Sequence, residues 1–350
     1  MFRTVVRRIA QWGLERGVMK AALQSSLTAP AEVPPGFQPT GWSGTIDRRA
    51  FPEAAPPAAF ITARFRSGST LLWKLLREHR QLTAYYEPLN PRRWFDPAAR
   101  GQRVDNTHRG VEQYWEEYNR FAGVEVPWEE WWSSRDLYLP ATVPAHTLYE
   151  YLRLLVDEAP GFPVLQFNRL DFRLGWIASR FPDVLLVHLH RDPRDQWIST
   201  FLRQKPVPTT ATVANFARSD EFYLVSWAND LARYIPLFAE VKQLHPYELS
   251  YIVSRLSFVF ASNHSAYDVS YESLVSEPRA VMKSLGDVFK LEGMDQLPGI
   301  GQVSTRSVGR WKSYADASWF EEREARCDEL IDQCVLGRGS TAVREGLRIG

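Results

Sequence analysis

The sequence predicts an α/β fold, a single domain with a central, mainly parallel sheet flanked by helices, and three observations carry that prediction. Five short apolar runs recur along the chain: "AFITA" (59–63), "LTAYY" (82–86), "FPVLQF" (162–167), "VLLVHL" (184–189) and "YDVSY" (267–271). Helical apolar spacing fills the segments between them, and strands spaced by helices build sheets that are covered on both faces. The first run passes into "RFRSGSTLLWKLL", where small hydroxyl-bearing residues occupy the junction between a strand and an amphipathic helix.

In chain order, an N-terminal helix and a proline-rich arm (1–58) precede the predicted domain (59–350). The opening "MFRTVVRRIAQWGLERGVMKAAL" sets Phe2, Val5, Val6 and Ile9 against Arg3, Arg7 and Arg8 but lacks the continuous apolar stretch of a signal peptide. Such a helix suits peripheral contact with a membrane surface, but a terminal helix more commonly docks on the protein body or stays mobile. Prolines crowd the chain from Ala29 to Ala58, which fixes extended backbone and removes donors.

After the first strand, the helix that begins near Ser69 leaves backbone N–H groups unpaired at its N-terminus, and together they suit an anion. The second strand ends at Glu87, followed by Pro88. A Trp- and acid-rich insert follows, "YWEEYNRFAGVEVPWEEWWSSRDLYLP" (114–140). Its tryptophans could stack on a ligand such as a sugar ring, although Trp at helical spacing more often packs a core. The third strand leads into "LQFNRLDF". The fourth leads into "HRDPRDQWIST", with Arg191 at its carboxyl end and Ser199 expected near the start of the next helix. In the last helical pattern, Cys327 and Cys334 are seven apart and therefore about 10 Å from each other on one face, too far to bridge.

A formal net charge of +1 gives no basic excess of the kind that neutralises nucleic-acid phosphates. No apolar run approaches the roughly 20 residues that span a bilayer. Two cysteines and no Cys/His cluster with metal-ligand spacing indicate a reducing compartment and no metal, so the expected location is cytoplasmic, with the N-terminal helix leaving contact at a membrane surface open.

The expected anion is therefore small. A nucleoside-triphosphate loop carries Gly-Lys-Ser/Thr, and no Gly-Lys follows the glycine here. The cation built into the loop is Arg66, ahead of Ser67, Gly68, Ser69 and Thr70, and a guanidinium fork suits bidentate contact with phosphate or sulfate. Alone, these residues would equally make a tight turn with a capping serine. Alone, Arg191 would equally make a surface pair with Asp192 or Asp195. Ligands of open α/β sheets bind beyond the carboxyl ends of the strands, however, so the Arg66 loop and Arg191 are expected to share one crevice and a ligand with two separated phosphates. His188 and His190 read as satisfied polar residues rather than catalysts.

Four segments in order resemble the PAPS-dependent sulfotransferases: "FRSGSTLL" their 5′-phosphosulfate loop, "HRDPRDQWIS" their 3′-phosphate motif, "VSYESLVSEPRAVMKSLGDVFKLEG" their Tyr-Glu-x-Leu segment and "SVGRWKSYAD" their C-terminal Gly-x-Trp segment. The resemblance implies that Arg66, Ser67, Gly68, Ser69 and Thr70 wrap the 5′-phosphate and sulfonate of PAPS, in a P-loop-like strand-loop-helix. It implies that Arg191 and Ser199 hold the 3′-phosphate, that Tyr271 lies near the adenosine, and that Arg310, helped by Arg306, closes from the C-terminal loop. The Lys-x-His of cytosolic members is missing from "LQFNRLDF", where Arg169 or Asn168 stands instead. Glu87 in "EPL" matches the acid of the carbohydrate and protein-tyrosine branch, so the resemblance makes it the general base and Arg169 the group that stabilises the sulfonate. It also makes a carbohydrate or glycolipid hydroxyl the first expectation for the acceptor, with protein tyrosine or a small-molecule alcohol as alternatives. A nucleotide kinase and a non-catalytic nucleotide-binding protein are the rivals from other classes.

Overall fold

In a computed structural model the described residues are 54–100, 113–201, 206–217, 219–265 and 267–335. The expected N-terminal helix and nearly all of the proline-rich arm lie outside them. Strand β1 (Ala59–Ala63) lies at the centre of a five-stranded parallel sheet ordered β2-β3-β1-β4-β5, with β2 Leu82–Tyr86, β3 Phe162–Phe167, β4 Leu185–His190 and β5 Tyr267–Ser270. The five apolar runs become the five strands, displaced by one residue in β4, while Tyr271 leaves β5 to open a helix. Among the described residues the α-helices of six residues or more are α1 (Ser69–Arg77), α2 (His146–Asp157), α3 (Leu174–Arg180), α4 (Pro193–Ile198), α5 (Leu224–Leu231), α6 (Pro246–His264), α7 (Tyr271–Ser276), α8 (Pro278–Phe289) and α9 (Ala317–Val335).

The two-residue period of the strands divides the core. Ile61, Val164, Val187 and Val269 pack with Leu72, Leu75 and Leu76 of α1 and with Met282 and Leu285 of α8. On the other face Phe60, Leu165, Phe167 and Leu186 pack with Trp176 and Ile177 of α3 and Ala261 of α6. Chain reversal is built in at β1: its crossover runs outward to β2, whereas β4 lies on the opposite side. Such a switch point opens a crevice at the carboxyl ends of β1 and β4.

The Trp-rich insert is core, as the commoner use of tryptophan suggests. Trp132 is buried, and Trp128 packs edge-on to Trp132 and Tyr151 at 5.1 and 5.3 Å. The insert is fastened by Arg173, whose fully buried guanidinium donates to the carbonyls of Trp132, Arg135, Asp136 and Arg169 at 2.8–3.1 Å. Burial lowers the pKa of that group to about 10, and it stays charged at neutral pH. Cys327 and Cys334 both fall on α9, as expected, and burial raises the pKa of the Cys327 thiol.

Candidate active site

Between β1 and α1 the chain turns through two left-handed residues, Arg66 at φ 68° and Gly68 at φ 92°. Ser67 N–H donates to Arg64 O at 3.2 Å, and α1 starts directly after Gly68, so the first amides of the helix open onto the crevice. Glycine is required at 68 twice over, by its dihedral and by the ring of Tyr271, into which a Cβ would intrude. Gly68→Ala is therefore expected to destabilise the fold by roughly 1–4 kcal/mol, read as a lower urea midpoint at unchanged slope. An unchanged midpoint would show that the loop and Tyr271 separate freely.

Arg66, Arg191 and Ser199 do meet at the β1/β4 edge. Arg191 Nη1 donates to Arg66 O at 3.1 Å, its Nη2 donates to Ser307 O at 2.7 Å, and its guanidinium stacks 4.4 Å from the Tyr271 ring centre. Its Nε is buried and has no hydrogen-bond partner among the described residues. Burial lowers the pKa of Arg191, and the charges of Tyr271, Asp195, Glu272 and Asp192 oppose the shift. Arg66 Nε donates to Ser199 O at 3.0 Å. Ser199 does not lie at the start of a helix as expected: Asp192 caps α4 by accepting from Arg194 N and Asp195 N, Pro193 opens it, and Ser199 is its C-cap residue. The Ser199 hydroxyl donates back to Gln196 O at 2.7 Å.

Gln196 is a positioning residue that the sequence reading missed. Its Nε2 donates to Phe65 O at 2.7 Å and to Ser67 Oγ at 3.0 Å, while its Oε1 accepts from Ser254 Oγ at 2.9 Å. It ties the loop to α4 and α6. Its place three residues before Ser199, on the same helix face, was the available signal. Thr70 Oγ1 lies 3.1 Å from Tyr86 OH, and Ser69 is buried at the head of α1.

At the end of β2, Glu87 takes φ 40° and is 5% exposed. Its Oε1 accepts from Asn168 Nδ2; its Oε2 accepts from Asn90 Nδ2 at 2.6 Å and Arg169 Nη1 at 3.1 Å. Asn168 and Arg169, the two residues that stand where the family lysine is missing, thus both touch this carboxylate. Arg169, 5% exposed, is held by Ser133 O at 3.2 Å and lies over Phe65 and Tyr223, 4.8 and 5.6 Å from the ring centres. A carboxylate offers about four acceptor positions, so three donors leave one, on Oε1.

The C-terminal loop reaches the crevice by its backbone and by the Ser307 hydroxyl. Ser307 Oγ and Tyr271 OH share a 2.6 Å hydrogen bond, and Asp195 accepts from Gly309 N at 2.5 Å and Trp311 N at 3.1 Å. Arg306 and Arg310 are carried by this loop with exposed side chains. His188 bonds Asp268 at 3.2 Å beneath His190, whose pKa burial lowers, in keeping with the structural reading of both. Among the described residues no group of three or more His, Cys, Asp and Glu is arranged to hold a metal ion, and no helix is long and apolar enough to cross a membrane.

A parallel sheet with two arginines and a helix N-terminus at its switch point, and a buried carboxylate on the same edge, makes a crevice suited to an anionic ligand. Residues 57–296, more than two thirds of the chain, match the profile of the Sulfotransferase family. The chain belongs to that family and is a sulfotransferase. Among solved structures it is similar to the sulfotransferase domain of the olefin synthase from Synechococcus PCC 7002, at 17% identity over 81% of this chain and 97% of that one, with a TM-score of 0.39. It is also similar to a sulfotransferase from Alicyclobacillus acidocaldarius (14% identity, 83% and 100% coverage, TM-score 0.39). A third is the sulfotransferase domain from the curacin biosynthetic pathway (14%, 80% and 99%, 0.42). No curated protein matches the chain.

Proposed function

We propose that the protein transfers a sulfonate group from PAPS to an acceptor hydroxyl and releases adenosine 3′,5′-bisphosphate. The observation that carries this reading is the meeting of Arg191 with the Arg66 loop at the edge that also holds the Glu87–Arg169 pair. In this reading Arg66 and the amides at the head of α1 receive the 5′-phosphosulfate, while Arg191 and the C-cap of α4 receive the 3′-phosphate, with Tyr271 beside the nucleoside. The acceptor oxygen forms the new bond to sulfur, the bond from sulfur to the bridging phosphate oxygen breaks, and the acceptor proton passes to the open position on Glu87 Oε1. Arg169, beside that carboxylate, offers its remaining N–H groups to the sulfonate oxygens as charge shifts.

For the acceptor, the reading keeps a carbohydrate or glycolipid hydroxyl, on the Glu-Pro-Leu resemblance. The support from the Trp-rich insert is weaker, because its tryptophans pack largely inward. The deciding experiment incubates the protein with PAPS and a panel of sugars, glycolipids, tyrosine peptides and simple alcohols, with products identified by mass. Sulfation of a sugar or glycolipid alone supports the preference, sulfation of another class moves the acceptor, and no transfer to any of them counts against the reading.

Turnover is expected to survive chelator, because guanidinium groups and helix amides supply the positive charge at the transferring group. Activity that EDTA abolishes and magnesium restores, with ATP as donor, would favour a kinase.

A further inference from the structure

We propose that Asp195 is a positioning residue whose buried carboxylate holds the Thr305–Trp311 loop against the carboxyl end of β4, and so sets that loop over the 3′ side of the bound nucleotide. The proposal rests on the nucleotide reading given above. Much of the loop is turned to solvent: Thr305, Arg306 and Arg310 are exposed, and Val308 is 42% exposed. Its backbone closes on itself once, from Val308 N to Thr305 O at 2.9 Å.

Two kinds of tie fix it to the body. Ser307 is held through Arg191 Nη2 and Tyr271 OH, the groups that a bound nucleotide would engage for itself. Those ties compete with the ligand. Gly309 N and Trp311 N are held by the two oxygens of Asp195, a side chain 2% exposed that points away from solvent. This tie uses no group that the ligand needs, so it persists when Ser307 is displaced and serves as the fixed point from which the loop closes. A carboxylate only accepts hydrogen bonds and therefore matches two main-chain donors, whereas an amide would turn N–H against one of them. The Trp311 ring, 4.8 Å from the Arg194 guanidinium and edge-on to Phe320, holds the far end. Asp195 thus joins the loop to α4.

The test is Asp195→Asn, compared with wild type for tryptic cleavage without nucleotide, for binding of adenosine 3′,5′-bisphosphate and AMP, and for KM and kcat. Losing one of two charge-assisted bonds should raise the bisphosphate Kd and the PAPS KM about tenfold to a hundredfold, with AMP affinity and kcat at saturating PAPS nearly unchanged. Trypsin should cut faster after Arg306, Arg310 or Lys312, all exposed. Unchanged cleavage and unchanged bisphosphate affinity would overturn the proposal, as would a fall in kcat with binding intact. Faster cleavage in a protein whose wild type binds no bisphosphate would sink the nucleotide reading and leave the tie standing. Should Asp195→Asn fail to fold, Gly309→Ala strains the loop from outside: φ is 76° and no atom lies within 4 Å of the added Cβ. It should shift cleavage and affinity in the same directions, and wild-type behaviour of that variant would equally count against the proposal.

Discussion

Glu87→Gln is expected to lower kcat by roughly 10²–10⁴-fold, the usual worth of a general base, while affinity for adenosine 3′,5′-bisphosphate stays near wild type. The substitution keeps the size of the side chain and removes the group that can take a proton. Glutamine's carbonyl oxygen can still accept from Asn168 or Arg169, but its NH₂ faces donors where the carboxylate faced acceptor-seeking groups. Arg169 then loses its buried counter-charge, so part of the fall belongs to the sulfonate side. Thermal melts and the kcat of Arg169→Ala separate the two: a Glu87→Gln loss larger than that of Arg169→Ala, with the fold intact, belongs to the base. Near-wild-type kcat under saturating PAPS, with chemistry rate-limiting, would remove Glu87 as the base and leave it an ion-pair partner of Arg169.

Arg191→Ala carries the second large effect. Calorimetry should show affinity for adenosine 3′,5′-bisphosphate reduced by roughly 10–150-fold, equivalent to a charge-assisted contact of about 1.5–3 kcal/mol. AMP should lose far less, because Arg191 touches the 5′ loop only through the Arg66 carbonyl. Arg191→Lys should not restore the preference. A lysine is a point charge that cannot donate to Arg66 O and Ser307 O in one plane while stacking on Tyr271. Equal losses for the two nucleotides would place the 3′-phosphate elsewhere.

The strands and the helix after the Arg66 loop were legible in the sequence because each obeys a local rule: apolar runs of strand length, and an amphipathic segment after small residues. Glu87 and Arg191 were legible for a topological reason, since both end strands of a parallel sheet. The short helix α4 was not placed correctly. Its capping Asp192 and Pro193 start it early, which turns Ser199 from an opening residue into a closing one. Pairings across long separations carry no local trace either. That Asn168 and Arg169 would both reach one carboxylate, that Gln196 would brace the phosphate loop, and that Asp195 would accept from Gly309 and Trp311 follow only from how distant segments are stacked.

Those long separations have a consequence for synthesis. The loop at Arg66 is made early, yet its partners Arg191, Gln196 and Ser199 follow more than 120 residues later, and the Ser307 segment that meets Arg191 comes 116 residues after that. At roughly 5–20 residues per second, a nascent chain carries the unpaired loop for roughly 10–50 s before the crevice can close around it. Strand β1 cannot wait in the same way, because it is buried throughout and destined for the middle of the sheet, with β3 and β4 both still unmade. The nascent chain therefore has a long interval in which this strand depends on α1 or a chaperone for cover, and nucleotide can assist only after the segment from Ser307 to Trp311 has left the ribosome.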